Sequence, residues 1–312
     1  MFNGYIVREE ELKSFVADNT EVRRAFAEIE GKSYEIKRYK YNQSEIFSEY
    51  VASHIVQSLG IKCQNAWIGY NDTDNKRVSI AEDFRNAGEK FISFTCNSSE
   101  NSECSLTQEE AFAEEVEMLL NNDKMIQHSE MKDKIKKHLY EQLICDAIVD
   151  NKERNRENCG YIYIQRSNTV KNAPIFGFVN CLGAGFEDEI NNWNRQEEID
   201  EVVRENLRND RLVWNIAGSS EQGRRQELSY YDILNTEKNS EIRQLKESFR
   251  KIIDFDKFMR IVREVTSLNQ DIFPQNYKNV YRIMLGARYL RFIEGKTIDE
   301  SCLRAVMKVY EQ

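Results

Sequence analysis

The sequence has no long apolar segment. No stretch approaches the roughly 18 consecutive apolar residues that a membrane-spanning helix requires, and the first residues, MFNGYIVREEELK, lack the basic-then-apolar order of a signal peptide. We therefore expect a soluble, cytoplasmic protein. The formal net charge of -9 argues against nucleic acid as the main ligand, because binding to phosphate backbones needs a basic face.

Few residues suit metal binding or acid-base chemistry. The seven cysteines include no CxxC pair, and several lie in apolar runs, which favours reduced thiols in the core over a zinc site or a disulfide framework. The three histidines fall in helical patterns. We expect core or surface roles for them rather than catalysis.

The length of 312 residues is enough for two lobes with a substantial core. The segment TCNSSENSECS, residues 95–105, is poor in apolar side chains and separates two regions of different character. We predict a strand-rich amino-terminal lobe with one prominent helix over residues 1–85, a hinge and polar loop over 86–105, and a helical lobe over 106–312.

Local patterns predict the main elements of both regions. In residues 42–60 apolar side chains recur every fourth position and Gly60 follows, which indicates a helix. NAWIGY and RVSIAEDF are typical of a strand pair, whereas VADNTEVRRAFAEIE, residues 16–30, resembles a helix. Further helices are predicted up to Leu120, over 130–149 and over 277–293.

A polar stretch, DNKERNRENCGY, follows the predicted helix at 130–149. The strand YIYIQ comes after it, RSNTVKN is expected to turn, and APIF is expected to return as a second strand. Kinases hold a catalytic loop and then a metal ligand in this order. Glu153 and Asn158 have the spacing of a kinase catalytic acid and its metal-binding asparagine, and Lys37 and Glu49 have the order of the kinase lysine-glutamate pair.

These stretches resemble the HipA-like serine/threonine kinase family, and in particular its CtkA-type bacterial members. FSEYVASHIVQSLGIK is similar to the helix that carries the family's glutamate, DAIVDNKERNRENCGYIY to its catalytic loop, and APIFGFVNCL to its metal-binding strand. The resemblance covers about residues 33–295. It implies an α+β, bilobal, protein-kinase-like fold with a small β-rich lobe and a larger helical lobe.

The resemblance also implies a nucleotide site with ATP and Mg²⁺ as cofactors. Lys37 would contact the phosphates and Glu49 would hold that lysine. The adenine would lie at a hinge formed by Glu82, Asp83 and Phe84, where backbone groups do the binding. Structural positions of the family's loop are matched by Asp146, Asn151 and Gly160.

The sequence departs from the family at the chemical centre. The expected D-R-H is Glu153, Arg154 and Asn155, so a glutamate stands where the catalytic aspartate is expected. Asn158 would be a magnesium ligand, but the family's metal-binding aspartate is replaced by Gly177. No glycine-rich phosphate loop precedes the phosphate-binding lysine.

Charged and polar residues near the motifs are expected to be solvated. For Asp150, Asn180, Glu187 and Asp188 we favour solvated loop positions over a rearranged metal site. Arg282, Arg288 and Arg291 are expected to form a solvated helix face rather than a docking site.

Three functions are compatible with these motifs. The first is a degraded kinase, a pseudokinase, that acts as a binding or regulatory module with weak, metal-independent or absent nucleotide binding. The second is an active ATP-dependent serine/threonine kinase or other transferase that uses Glu153 as the base. The third is a scaffold with a closed cleft. The sequence does not identify the protein partner, the substrate or the oligomeric state.

Overall fold

The computed structural model combines a strand-rich amino-terminal part with a larger helical part, which confirms the predicted α+β class. Among the residues that it describes, no helix is long and apolar enough to cross a membrane. The described residues are 5–8, 12–17, 22–39, 44–94, 108–126, 129–152, 154, 156–183, 196–208, 229–235, 238–268 and 275–298.

The amino-terminal sheet has six strands in the described residues, in the order β1-β5-β6-β4-β3-β2. Strand β1 is parallel to β5, and the other neighbouring pairs are antiparallel. The strands are β1 Tyr5–Val7, β2 Leu12–Ala17, β3 Val22–Ile29, β4 Lys32–Tyr39, β5 Ala66–Asn71 and β6 Arg77–Glu82.

The prediction of a helix over residues 16–30 is wrong. This stretch contributes to β2 and forms β3, and residues 18–21 between them lie outside the described part of the chain. In β3 the buried side chains Ala25, Ala27 and Ile29 alternate with exposed ones, which is the period of a strand. Pairing with both β2 and β4 overrides the helical propensity of its alanine, arginine and glutamate residues.

Helix α1, Ser44–Ser58, packs on one face of this sheet, as the apolar spacing predicted. Most of its side chains are buried, because the sheet covers one side and helices of the carboxy-terminal part cover another. Gly60 follows the helix with a φ of +76°, a backbone conformation that glycine adopts without a steric penalty.

A second sheet has the strand order β7-β8-β9, and the polar stretch lies between helix α3, Lys132–Val149, and strand β8. Its strands are β7 Glu89–Ser93, β8 Gly160–Ile164 and β9 Thr169–Asn172. The predicted return strand was placed too late: β9 precedes APIF, and Ile175 makes only an isolated bridge to Cys63. Strand β7 lies within the range that we predicted to be hinge and polar loop.

The rest of the described chain is helical, as predicted. A large apolar core joins α1, α2, α3 and the later helices, and a separate small core lies within the amino-terminal sheet. The helices are α2 Gln108–Asn122, α3 Lys132–Val149, α4 Gln196–Arg208, α5 Tyr230–Asn235, α6 Ser240–Ile252, α7 Phe255–Leu268 and α8 Gln275–Arg288, with a π-helical turn at Tyr289–Ile293.

Candidate nucleotide-binding site

Lys37 and Glu49 form the buried ion pair that the sequence predicted. Lys37 lies on β4 and Glu49 on α1, and Lys37 Nζ is 2.5 Å from Glu49 Oε1. Ser79, the β6 residue opposite Lys37, donates its hydroxyl to Glu49 Oε2 at 2.6 Å. The pair therefore joins two central strands to the helix that covers them.

The electrostatics keep Lys37 charged. Burial acts to lower the pKa of Lys37, but the charges of Glu49 and Glu35 and the hydrogen bond to Glu49 outweigh it, so the pKa is raised. The charge of Arg24 acts in the opposite direction, which places a second cation near this amine. Removing one partner of such a buried pair costs about 3–5 kcal/mol, because the other charge is left uncompensated.

Of the predicted hinge residues, Glu82 is the last residue of β6, and Asp83 and Phe84 follow it. The side chains of Glu82 and Asp83 are hydrogen-bonded to other residues of the protein. The Glu82 carboxylate contacts Lys32 Nζ at 2.7 Å and Asn65 Nδ2 at 2.7 Å. The Asp83 carboxylate accepts from both Nε and Nη2 of Arg85. Burial acts to raise the pKa of both carboxyls, but their hydrogen bonds outweigh it, so both pKa values are lowered.

The hinge backbone is partly engaged within the protein. The Glu82 amide donates to the Asn65 carbonyl, and the Glu82 carbonyl accepts from Gln64 Nε2 at 3.0 Å. The Asp83 amide donates to the Ser33 carbonyl at 2.9 Å. Within the described residues, no hydrogen bond engages the backbone of Phe84. Phe84 therefore offers the amide and carbonyl that a nucleobase could use.

Three half-buried phenylalanine rings meet below this hinge. Phe84 lies 6.0 Å from Phe91 on β7 and 5.2 Å from Phe176, measured between ring centroids. Phe91 and Phe176 are also 5.2 Å apart in an edge-to-face arrangement. Because Phe176 directly precedes Gly177, this aromatic contact connects the hinge to the expected metal-binding segment.

Arg154 organises the polar stretch after α3. It is fully buried, and its Nε and Nη2 each donate to one oxygen of the Asp146 carboxylate at 2.8 Å. Its Nη1 donates to the carbonyl of Phe176 at 2.6 Å and to that of Asn158 at 3.0 Å. The polar character of the stretch is explained by this guanidinium, which hydrogen-bonds to the end of α3, to the loop and to the residue before Gly177.

Glu153, the predicted base, lies outside the described residues, whereas both its neighbours are placed. Lys152 donates its backbone amide to the Asn180 carbonyl at 2.9 Å, and Arg154 is anchored as described. Asn151 Nδ2 donates to Asp146 Oδ1 at 3.0 Å and to the Gly177 carbonyl at 3.2 Å. The residues on both sides of this position are therefore held by hydrogen bonds to the segment around Gly177 and to α3.

Asn158 and Gly177, the two positions that the resemblance assigned to metal binding, lie next to each other. Gly177 has a φ of +79°, and a Cβ atom added there would lie 2.8 Å from Asn158 Nδ2. Asn158 Oδ1 is 3.4 Å from Arg154 Nη1. The space that an aspartate side chain at position 177 would enter is thus occupied on one side by the Asn158 amide.

Asp150 is not the solvated loop residue that we expected. It is buried at the end of α3 in a left-handed conformation with a φ of 53°. Its carboxylate lies 2.7 Å from Arg288 Nη1 and accepts from Asn206 Nδ2 at 2.6 Å, and Lys152 Nζ is 2.7 Å away. Arg288 is fully buried as well, so the prediction of a solvated helix face is wrong for this arginine. Glu187 and Asp188 lie outside the described residues.

Ser48 is a residue that the sequence did not single out. Its hydroxyl donates to the Cys181 carbonyl at 2.8 Å and accepts from the Cys181 amide at 2.9 Å, and it lies 3.2 Å from the Phe178 carbonyl. Through this one side chain, α1 is bound to the segment after Gly177. Ser48 directly precedes Glu49, and Ser44 and Ser53 of the same helix are also buried, so no local pattern distinguishes it.

The described residues do not fit a magnesium ion. They contain no group of three or more carboxylate, histidine or cysteine side chains arranged for a metal. Gly177 supplies no ligand, and the nearby Asp150 carboxylate is held by two cations and an amide. Mg²⁺ with a nucleotide ordinarily takes one or two protein carboxylates. Asn158 alone offers a neutral oxygen.

The buried lysine-glutamate pair, the hinge and the anchored loop define a protein-kinase-like fold. In sequence, the chain is 24% identical over 261 residues to the serine/threonine-protein kinase CtkA of Helicobacter pylori, covering 83% of this chain and 73% of CtkA. The crystal structure of H. pylori CtkA, described as a proinflammatory kinase, superposes with a TM-score of 0.64 and 21% identity over 92% of this chain and 94% of that one.

A HipA structure from Shewanella oneidensis, solved with HipB and operator DNA, matches with a TM-score of 0.42 and 11% identity over 91% of this chain and 67% of that chain. No protein-family model matches the chain. The chain is thus similar to CtkA in sequence and in fold, in agreement with the resemblance seen in the motifs.

Proposed function

We propose that this protein is a degraded member of the CtkA-like kinases, a pseudokinase that binds a nucleotide in its cleft and acts as a binding or regulatory module. One observation carries the proposal: the Lys37–Glu49 pair is intact while the metal-binding position is a glycine in contact with Asn158. Selection for phosphoryl transfer would preserve both the lysine-glutamate pair and the metal-binding aspartate.

The roles follow from the chemistry of each group. Lys37 contributes a buried, charged amine for nucleotide phosphates, and Glu49 orients it. The backbone of Phe84 offers hydrogen bonds to a base. A kinase turns over about 1–100 times per second with its metal in place. Here Gly177 removes the metal-binding carboxylate and Glu153 replaces the catalytic aspartate, and even the outright loss of a base lowers a rate by about 10²–10⁴-fold. We therefore expect little or no transfer.

Calorimetric titration of the purified protein with ATP, with and without Mg²⁺, tests the proposal. We expect binding that does not require Mg²⁺ and that is lost in Lys37→Ala. Because that variant leaves Glu49 buried without its partner, Lys37→Met with Glu49→Gln serves as a second variant that removes both charges. Absence of binding by the unmodified protein under every condition would refute the nucleotide-binding role and favour a scaffold.

A second candidate is an active ATP-dependent kinase or other transferase with Glu153 as the base. The anchored loop supports it, because Lys152 and Arg154 on both sides of this position keep their contacts. Incubation with ATP followed by intact-mass analysis separates addition of phosphate from addition of adenylate. Loss of that product in Glu153→Gln would replace the pseudokinase proposal with this one.

The location of the protein in the cytoplasm stays a prediction, as does its action on a protein partner or substrate. The acidic net charge is the observation that makes nucleic acid an unfavourable main ligand.

A further inference from the structure

Nucleotide phosphates beside Lys37 need compensating positive charge, which a metal ion ordinarily supplies. The described residues do not fit such an ion at Gly177 and Asn158. A cation supplied by the protein would have to lie next to Lys37 and be accessible from solvent. Arg24 meets both requirements.

Arg24 lies directly across from Lys37 on the neighbouring strand. The antiparallel register pairs Arg24 of β3 with Lys37 of β4, and Lys37 with Ser79 of β6. Directly opposed residues project from the same face of a sheet, with Cβ atoms about 4.5–5.5 Å apart. The three side chains therefore form a row on the face where Glu49 of α1 contacts Lys37 and Ser79.

Arg24 is at the accessible end of this row. Its side chain is 46% exposed, whereas that of Lys37 is only 8% exposed beneath α1. Glu35 lies between the two cations: its Oε1 is 3.6 Å from Arg24 Nη1, and its Oε2 is 3.9 Å from Lys37 Nζ. Glu35 thus holds the guanidinium beside the amine and competes with any incoming anion.

An aromatic ring stands next to these charges. Phe26 is two residues from Arg24 on β3, is paired with Glu35, and is 37% exposed. Since alternate residues of a strand share a face, Phe26 lies on the same face as Arg24. A ligand that combines a flat ring with an anionic tail fits this surface.

We propose that Arg24 and Lys37 together bind the phosphates of a nucleotide, with the guanidinium in place of a divalent cation. This inference rests on the proposed nucleotide-binding function and names the group that makes binding independent of metal. Guanidinium groups suit this role, because they stay charged and donate two parallel hydrogen bonds to phosphate oxygens.

The test is a calorimetric series on the full chain with adenosine, ADP and ATP in EDTA, and with ATP in excess Mg²⁺. We expect affinity to rise with the number of phosphates in EDTA and not to rise when Mg²⁺ is added. Arg24→Gln should weaken ATP binding about 10-fold, the effect of losing one hydrogen bond between charged groups, and leave adenosine binding unchanged.

Two further variants guard against a general loss of fold. Arg250→Gln is the matched control, because Arg250 is 48% exposed and is also paired with a glutamate, Glu294, away from the cleft. Glu35→Gln removes the competing carboxylate and should tighten ATP binding about twofold to fivefold, a gain that misfolding cannot produce.

The outcomes separate this inference from the function on which it rests. If the protein binds adenosine and ATP equally, if binding requires Mg²⁺, or if Arg24→Gln matches Arg250→Gln, the role of Arg24 is refuted while nucleotide binding stands. If neither adenosine nor ATP binds, the proposed function fails and this inference fails with it.

Discussion

Restoring the missing aspartate by Gly177→Asp should destabilise the protein rather than revive a metal site. Gly177 has a φ of +79°, and its added Cβ would lie 2.8 Å from Asn158 Nδ2 and 3.1 Å from Asn158 Cβ. A left-handed backbone costs a residue with a side chain about 1–2 kcal/mol. The Asn158 amide must also move, so the carboxylate would displace the ligand with which it should cooperate.

Two alanine variants separate the part of this stability loss that comes from the backbone conformation from the part that comes from the contact with Asn158. Gly31 has nearly the same φ, +77°, but nothing lies within 4 Å of an added Cβ. Gly31→Ala therefore measures the backbone conformation alone, and Gly177→Ala adds the contact with Asn158. We expect Gly177→Ala to be the more destabilising, by about 1–3 kcal/mol, the usual cost of overpacking.

Thermal unfolding and calorimetry with ATP and Mg²⁺ check this prediction. The backbone and the contact together cost about 2–5 kcal/mol, so the melting temperature should fall by about 4–20 °C, and Gly177→Asp should not gain Mg²⁺-dependent binding. A variant with an unchanged melting temperature and newly Mg²⁺-dependent binding would refute the reasoning, because the segment would then have room for the aspartate.

Three further predictions concern the contacts that hold the site together. Ser48→Ala leaves buried backbone groups without their partner and should cost about 1–3 kcal/mol in urea unfolding, and an unchanged midpoint would contradict it. Arg154→Lys should cost about as much as Arg154→Ala, about 3–5 kcal/mol, because lysine cannot replace the two-pronged contact with Asp146; rescue by lysine would disprove this. The pKa of Lys37 is raised, so the stability that its pair with Glu49 contributes is fully present below about pH 10.5 and is lost as the pH rises through the folded-state pKa. In urea unfolding at increasing alkaline pH, the free energy of unfolding of Lys37→Met with Glu49→Gln should therefore fall less steeply than that of the unmodified protein, and equal slopes would contradict this.

Much of the fold could be predicted from local patterns. The apolar spacing over residues 42–60 predicted α1, and the alternation around β5 and β6 predicted their pairing. The misassigned helix at residues 16–30 shows the limit of this approach. Arg24 and Phe26 alternate with buried alanines, but alanine, arginine and glutamate also favour helices, and only pairing with two neighbouring strands decides between them.

The motif resemblance predicted the Lys37–Glu49 contact, but not the state of the remaining site. The partner of Asp150 is Arg288, which also donates to the Ala147 carbonyl 141 residues away along the chain. No local pattern indicates that two charges so distant in sequence neutralise each other in the core. Their burial removed Asp150 from the candidate metal ligands.

The motif resemblance was therefore enough to indicate the kinase-like class, the lysine-glutamate pair and the glycine at the position of the family's metal-binding aspartate. The helices and strands that were predicted correctly depend on periodicities of two or about four residues, which the chain displays along its length. The crowding between Gly177 and Asn158, the anchoring by Arg154 and the row from Arg24 to Ser79 depend on which segments meet in space. Strand register and long-range packing set those contacts, and both arise only when the whole chain is folded.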